Sequence, residues 1–233
     1  MFSATLTTDV EALITSSMPA PQKIEIATHG TPIDKIIQRA YQVPNFNTKV
    51  NLLERLLTDD VELSKVLVFV GTKKLADRLY EQIVKIFPDQ VGVTHSNKTH
   101  NNRLNALKQF QEGTHRLLIA TDIIARGMDI TDVTHVINFD IPDVPGDYIH
   151  RIGRTGRADK EGVAISFINQ VEQSFQLEIE RLMMKQIPME PLPENLVIST
   201  VYTEEERPTN LFDKKYYKEA SIKTSKGAFH EKK

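Results

Sequence analysis

The sequence of 233 residues contains no cysteine and no tryptophan. Without thiols it can carry neither a disulfide framework nor a thiolate metal site. It has seven histidines, but none stands at H-x-x-x-H or H-E-x-x-H spacing. Neither sign of charge dominates: 29 lysines and arginines face 31 aspartates and glutamates, for a formal net charge of −2. Any nucleic-acid site must therefore be local rather than a property of the whole surface. Long apolar runs are also missing. The longest strongly apolar stretch is Val66 to Val70, far short of the roughly 20 residues that span a membrane. No basic segment followed by an apolar one opens the chain, so no secretory signal is read. Together these absences predict a cytoplasmic setting and no membrane partner. Finally, no glycine is followed by lysine anywhere, which excludes a G-x-x-x-x-G-K-[ST] phosphate loop.

What is present is ordinary globular composition, 40% hydrophobic and 26% charged, at a length suited to one or two domains. Residues 1–28 read as a small helix across Val10, Leu13 and Ile14, capped by Thr8 and stopped by Pro19 and Pro21, then a short strand at Lys23–Ile26. His29-Gly30-Thr31-Pro32 marks a loop, and 29–34 is taken as a linker.

From residue 35 to 170 strands and helices alternate. Strands are predicted at Ile36–Val43, Val66–Val70, Val91–Val93, Leu117–Ala120, Val133–Phe139 and Val163–Ile168. Helices are predicted over Lys49–Leu57, over Thr72–Phe87 with Leu75, Leu79, Ile83 and Phe87 in register, and over Thr99–Gln111 with Leu104, Leu107 and Phe110 inward. The fold class is α/β, a parallel sheet with helices on both faces, and ligands in such folds gather at the carboxyl ends of strands. Residues 171–207 read as an amphipathic helix through Val171, Phe175, Ile179, Leu182 and Met183, ended by Pro188, and a Pro-rich extension. Residues 208–233 carry seven lysines against three acids, a net +4 with few apolar anchors. They read as a disordered basic tail, either solvated or an auxiliary arm on RNA phosphates.

Three segments carry chemistry. Gly71-Thr72 follows one strand and opens a helix, and Thr121-Asp122 follows another. Each offers backbone N–H groups and a hydroxyl to an anion, with a plain helix cap as the ordinary alternative. The third, Tyr148-Ile-His-Arg-Ile-Gly-Arg-Thr-Gly-Arg157, repeats arginine every three residues between glycines. Guanidinium forks pair bidentately with phosphate oxygens, so Arg151, Arg154 and Arg157 form either a polyphosphate clamp or a solvated basic loop.

His150-Arg-Ile-Gly-Arg-Thr-Gly-Arg157 resembles motif VI of the DEAD-box RNA helicases. Ala120-Thr-Asp-Ile-Ile-Ala-Arg-Gly-Met-Asp-Ile130 resembles motif V, Val68-Phe-Val-Gly-Thr-Lys73 motif IV, and Ser3-Ala-Thr5 motif III. The four stand in family order and spacing and cover residues 2 to about 170. The Ile187–Pro193 stretch and the basic tail resemble the RhlE-like bacterial subgroup.

The resemblance implies a RecA-like, P-loop NTPase-type helicase C-terminal domain at 35–170, preceded by a remnant of a first RecA-like domain. It implies ATP with Mg2+ held between two such domains, and RNA held through phosphates without sequence preference. Arg154 and Arg157 would be arginine fingers on the γ-phosphate, and Asp129 would accept from the ribose hydroxyl; otherwise Asp129 is a turn carboxylate. Gly71, Thr72, Thr121, Gly127 and Arg103 would meet RNA phosphates, with Arg103 otherwise simply exposed. Arg126 would touch RNA or brace motif VI, while Ser3, Thr5 and His150 would couple the domains. No metal ligand is assigned.

Two departures stand out: His95-Ser96 where the family has His-Gly, and His100 where it has Gln, three before Arg103. The chain also has no Asp-Glu-Ala-Asp. The Walker lysine, metal carboxylate and catalytic base would then lie outside it, Met1 would be an internal or truncated start, and the chain alone would be inactive as an ATPase. The competing expectation is a non-catalytic RNA-binding or regulatory module.

Overall fold

A computed structural model of the chain describes residues 8–17, 35–125, 130, 133–156, 161–203 and 206. The expected strand at Lys23–Ile26, the linker 29–34, the site residues Ser3, Thr5, Arg126, Gly127, Asp129 and Arg157, and the tail 208–233 lie outside them. Helix α1 spans Thr8–Ser17, ending before Pro19 as expected.

The alternating part follows as β1 (Ile36–Gln42), α2 (Phe46–Asp59), β2 (Val66–Phe69), α3 (Lys73–Ile86), β3 (Val91–Thr94) and α4 (His100–Gln111). It continues with β4 (Leu117–Ala120), α5 (Asp122–Ala125), β5 (His135–Asn138), α6 (Pro145–Ile152), β6 (Gly162–Ile168), α7 (Gln173–Met183) and β7 (Met189–Glu190). The strands form one seven-stranded sheet in the order β3-β4-β2-β5-β6-β1-β7, and every pairing is parallel. This is the RecA-like α/β class that the sequence implied. The central strands β2, β4 and β5 are buried along their whole length; β2 and β4 are continuous apolar runs, as strands covered on both faces are, while β5 buries His135 and Asn138 at its two ends.

Helices α2 and α3 cover one face. Leu52, Leu53, Leu57, Ala76, Leu79 and Ile83 pack there against Val66, Val68, Ile119, Ile137 and Phe167. On the other face α4 covers β2 and β4 through Ala106 and Phe110, and α6 and α7 cover β1 and β6 through Tyr148, Ile152 and Ile179. Asn45 caps α2 and Thr72 caps α3, their side-chain oxygens accepting from Thr48 N–H (2.9 Å) and Leu75 N–H (3.2 Å). Such caps are worth about 1 kcal/mol each.

Two expected inward stripes need correction. Leu104 of α4 is 51% exposed, and Ala106 takes its place beside Phe110. At about 100° per residue, Leu104 lies about 120° around the helix from Phe110, while Ala106 lies about 40° away. In α7 the buried residue is Ile179, with Phe175 and Met183 packed beside it, whereas Leu182 is exposed and the exposed Val171 precedes the helix. That helix ends at Met184, which adopts the left-handed conformation (φ 50°), rather than at Pro188.

The Pro-rich stretch after α7 is ordered. Pro188 O accepts from Ala40 N–H at 2.8 Å, and β7 extends the sheet beyond β1. Leu192 and Leu196 then pack on the α2–α3 side of the core. Asn45, Asn47 and Asn51 donate side-chain N–H groups to the carbonyls of Ser199 (2.6 Å), Val201 (2.8 Å) and Val197 (2.7 Å). Residues 187–203 thus form a strap across the edge strand and along α2.

Burial holds the His115 and His135 imidazoles below the ordinary histidine pKa. The folded chain therefore binds fewer protons than the unfolded chain once pH drops below about 6.5, and stability declines in that window. Urea unfolding is expected to show a higher midpoint at pH 7.5 than at pH 5.5. The difference should shrink in the double variant His115→Gln/His135→Gln.

Candidate functional site

The carboxyl ends of β2, β4 and β5 meet in one polar network centred on Arg151, the last-turn arginine of α6. Arg151 is 3% exposed. Its Nε and Nη2 donate to the two carboxylate oxygens of Asp122 at 2.6 and 2.7 Å. Its Nη1 donates to Asn138 Oδ1 (3.2 Å) and to the Asp140 carbonyl (2.6 Å), and the guanidinium lies 5.1 Å from the centre of the Phe69 ring. A planar fork matched to a carboxylate is the strong form of this bond. One side chain thus ties the start of α5 to the end of β5 and to α6. It also removes Arg151 from the three-arginine clamp considered above, because its donors are spent inside the protein.

Asp140 carries the network to the next strand. Its Oδ2 accepts from the Gly71 N–H at 2.9 Å. This spends the amide that the sequence offered to a phosphate. Gly71 and Thr72 are both exposed. The Thr72 hydroxyl accepts from Leu75 N–H as a cap, and among the described residues its own proton is left to donate to an anion. Thr121 is buried directly after β4, where its carbonyl accepts from Ala125 N–H to open α5.

Arg103 is half-buried in the first turn of α4. Seven residues before Phe110, it lies on nearly the same helix face. Its Nε is buried and has no hydrogen-bond partner among the described residues, as are Thr94 Oγ1 and His95 Nδ1 on the same β3–α4 unit. His95 Nε2 lies 2.9 Å from Asp77 Oδ1, and Lys98 Nζ is 2.8 Å from the same oxygen. Burial opposes ionisation of Asp77, but the hydrogen bonds from Lys98 and His95 outweigh it and hold its pKa below the usual value. His95, the histidine that the family pattern shares, just before the departure at Ser96, fastens the end of β3 to α3.

The motif VI segment runs away from these strand ends rather than crowning them. After Arg151, the turn through Gly153 and the half-buried Arg154 reaches Thr155. The Thr155 hydroxyl lies 2.6 Å from the Val133 carbonyl and 2.9 Å from the Thr134 carbonyl, at the opposite, entering end of β5. Gly156 follows at φ +68°, where a side chain would strike Ile36. Gly162 is packed so closely on Thr155 and the Gly156 amide that a Cβ there has no room. Arg154 is thus carried on a turn pinned on both sides. His150 is half-buried on α6, beside these groups in sequence.

The residues missed in the sequence are Asp122, Asn138, Asp140, Lys49 and Glu172. One signal existed for Lys49: it stands three and four residues before Leu52 and Leu53, on the inward stripe of α2.

Arg151→Ala leaves Asp122 without its partner and is expected to cost roughly 2–4 kcal/mol, allowing for the partial exposure of that carboxylate. Arg151→Lys, which keeps the charge but loses the fork, should lie between it and the parent in urea unfolding. Thr155→Val removes the one hydroxyl proton placed between two carbonyls and is expected to cost about 1–3 kcal/mol, while Thr155→Ser should recover most of it in the same measurement.

Comparison with known proteins agrees with this geometry. Residues 48–159 match the helicase conserved C-terminal domain. The chain is 38% identical over 202 residues to the ATP-dependent RNA helicase RhlB of Pseudomonas syringae pv. tomato, covering 86% of this chain and 50% of that protein. It is 34% identical over 199 residues to the ATP-dependent rRNA helicase RRP3 of Candida glabrata, covering 85% of this chain and 40% of that protein. The chain spans about half or less of the length of these curated relatives. Among solved structures, the E. coli DEAD-box protein SrmB, bound to regulator of ribonuclease activity A, is similar over 98% of its chain and 72% of this one, at 31% identity and a TM-score of 0.65. The S. cerevisiae protein Dbp5 bound to RNA and ADP BeF3 is similar over 83% of this chain and 51% of its own, at 30% identity and a TM-score of 0.73. Motifs, sheet order and likeness to a chain matched almost end to end agree, and the chain belongs to the DEAD-box protein family as a bearer of its helicase C-terminal domain.

Proposed function

We propose that this chain is the C-terminal RecA-like half of an ATP-dependent RNA helicase, one that remodels RNA in the cytoplasm at the expense of Mg-ATP. The observation that supports it most is the junction built by Arg151. It brings the segments resembling motifs IV, V and VI into one rigid body, with Thr72, Thr121 and Arg103 at or beside the carboxyl ends of the strands and Arg154 on a pinned turn to one side. Two anion-seeking surfaces on one frame suit a domain that meets an RNA backbone and a nucleotide at once.

In this reading Thr72, Thr121 and Arg103 bind RNA phosphates, joined by Arg126 and Gly127, and such contacts do not discriminate sequence. Gly71 contributes a close approach, since its N–H is spent on Asp140. The described part of the nucleotide side fits half a site: a half-buried guanidinium on a fixed turn suits a polyphosphate oxygen. Arg154, with Arg157, would face the γ-phosphate, and Asp129 would hold the ribose. ATP with Mg2+ supplies the phosphoryl group and neutralises its charge, while Ser3, Thr5 and His150 couple this half to the first RecA-like domain. Residues 1–28 are read as the end of that first domain, 29–34 as the linker and 208–233 as a basic arm. The RhlE-like subgroup rests on the Ile187–Pro193 stretch and that arm, whereas the relatives named above include RhlB and RRP3.

This chain alone is expected to give no multiple-turnover phosphate release above blank, with or without RNA. Joined to a first RecA-like domain of the family, it should show RNA-dependent release that falls by about 10³-fold or more in Arg154→Ala, the scale on which arginine fingers act. Release by the isolated chain that Arg154→Ala abolishes would overturn the division of labour. Salt-sensitive RNA binding, with no nucleotide effect even in the joined protein, would instead establish a non-catalytic binding module.

A further inference from the structure

Lys49 takes no part in the reading above, yet it occupies a costly place. Its side chain is 2% exposed, and taking an ammonium out of water costs several kcal/mol before its partners repay it. Nζ lies 2.9 Å from Glu172 Oε2 and 3.1 Å from Asp140 Oδ1, and 5.7 Å from the centre of the Phe139 ring. Burial disfavours its charge, but Glu172 and Asp140 outweigh that and raise its pKa above the ordinary lysine value. Lys49 is therefore ionised in the fold. A hydrophobic side chain would fill the same space at lower cost, so volume alone does not account for it.

Its two partners differ in freedom. Glu172 is anchored: its Oε2 also accepts from the Asn169 N–H at 2.8 Å, and Asn169 Oδ1 accepts in return from the N–H groups of Val171 and Glu172. Asp140 stands at the mouth of the sheet with its carboxylate 19% exposed. With Oδ1 held by the buried ammonium, Oδ2 is aimed at the Gly71 N–H. Gly71 is exposed, and that amide opens the turn in which Thr72 caps α3.

We propose that Lys49 is a positioning residue for phosphate contact by the β2–α3 turn: anchored by Glu172, it fixes the Asp140 carboxylate, which fixes the Gly71 amide and so the place of the Thr72 hydroxyl. The proposal rests on the reading of Thr72 as an RNA contact. It reaches outside the matched helicase region, because Glu172 lies beyond residue 159.

The test uses the 233-residue chain, with Lys49→Met and, should that variant fold poorly, Lys49→Met/Glu172→Gln, which also removes the carboxylate charge left without its cation. Two quantities are read: hydrogen exchange at the Gly71 amide against the Leu118 amide of β4, and binding of a fluorescent oligouridylate. Thr72→Asp, which keeps the cap and repels phosphate, reports on the RNA reading itself. The expected result is exchange at Gly71 about tenfold faster with Leu118 unchanged, and RNA binding roughly three- to tenfold weaker. Unchanged exchange at Gly71 in a folded variant overturns the proposal. Faster exchange with unchanged RNA binding, where Thr72→Asp does weaken binding, overturns it while leaving the RNA reading intact. If Thr72→Asp binds as well as the parent, the RNA reading of Thr72 fails first and the proposal falls with it.

Discussion

The guanidinium of Arg151 is the interaction on which the rest of the site depends. It is buried, and its partners come from the start of α5, the end of β5 and the segment beyond. A cation so placed is expensive unless each donor is answered, and here the answers come from three separate stretches of chain. The cost enforces the geometry: the segments must converge for the charge to be tolerated. Lysine could supply the charge but not the fork, because only a planar group with several fixed donors can span the Asp122 carboxylate and two carbonyl oxygens at once.

From that centre the polar groups form a chain across the sheet. Arg151 holds the Asp140 backbone, the Asp140 side chain holds Gly71, and Lys49 joins Asp140 to Glu172. Each link crosses from one strand end to the next, so the loops are fastened laterally as well as by the strands that deliver them. The surface left over differs in kind. Thr72 keeps a hydroxyl proton to give, and Arg103 keeps a buried Nε without a partner among the described residues.

Much of this was legible in the sequence. The β-branched apolar runs at Val66 and Leu117 marked strands buried on both sides, and the threonines and glycines after them marked the turns. The motif residues announced the family. What the sequence hid falls into two kinds. Leu104 was misplaced because spacing of three, three drifts around a helix, so the face is set by Ala106 and Phe110, four apart. The strap at 187–203 was read only as a Pro-rich extension because it has no hydrophobic period. Its attachment comes from backbone carbonyls received by Asn45, Asn47 and Asn51, and such bonds leave no mark in the strap's own side chains. Asp140 and Glu172 were hidden for the same reason. An acid after a strand is usually solvated, and only its distant partners say otherwise.

The strap also governs what the sheet presents to other chains. The matched helicase region, 48–159, contains β2 to β5 but none of β1, β6 or β7. A fragment cut to those limits would expose the whole flank of β5, a strand buried along its length in the fold, with its hydrogen-bonding groups open. Such an edge is a template for further strands and invites aggregation. In the full arrangement, β6 and then β1 cover that flank, and β7 pairs with Ala40 and Tyr41 at the carboxyl end of the last edge. Edge protection therefore asks for more chain than the stretch by which kinship is recognised, since the strands that shield β5 lie on either side of it.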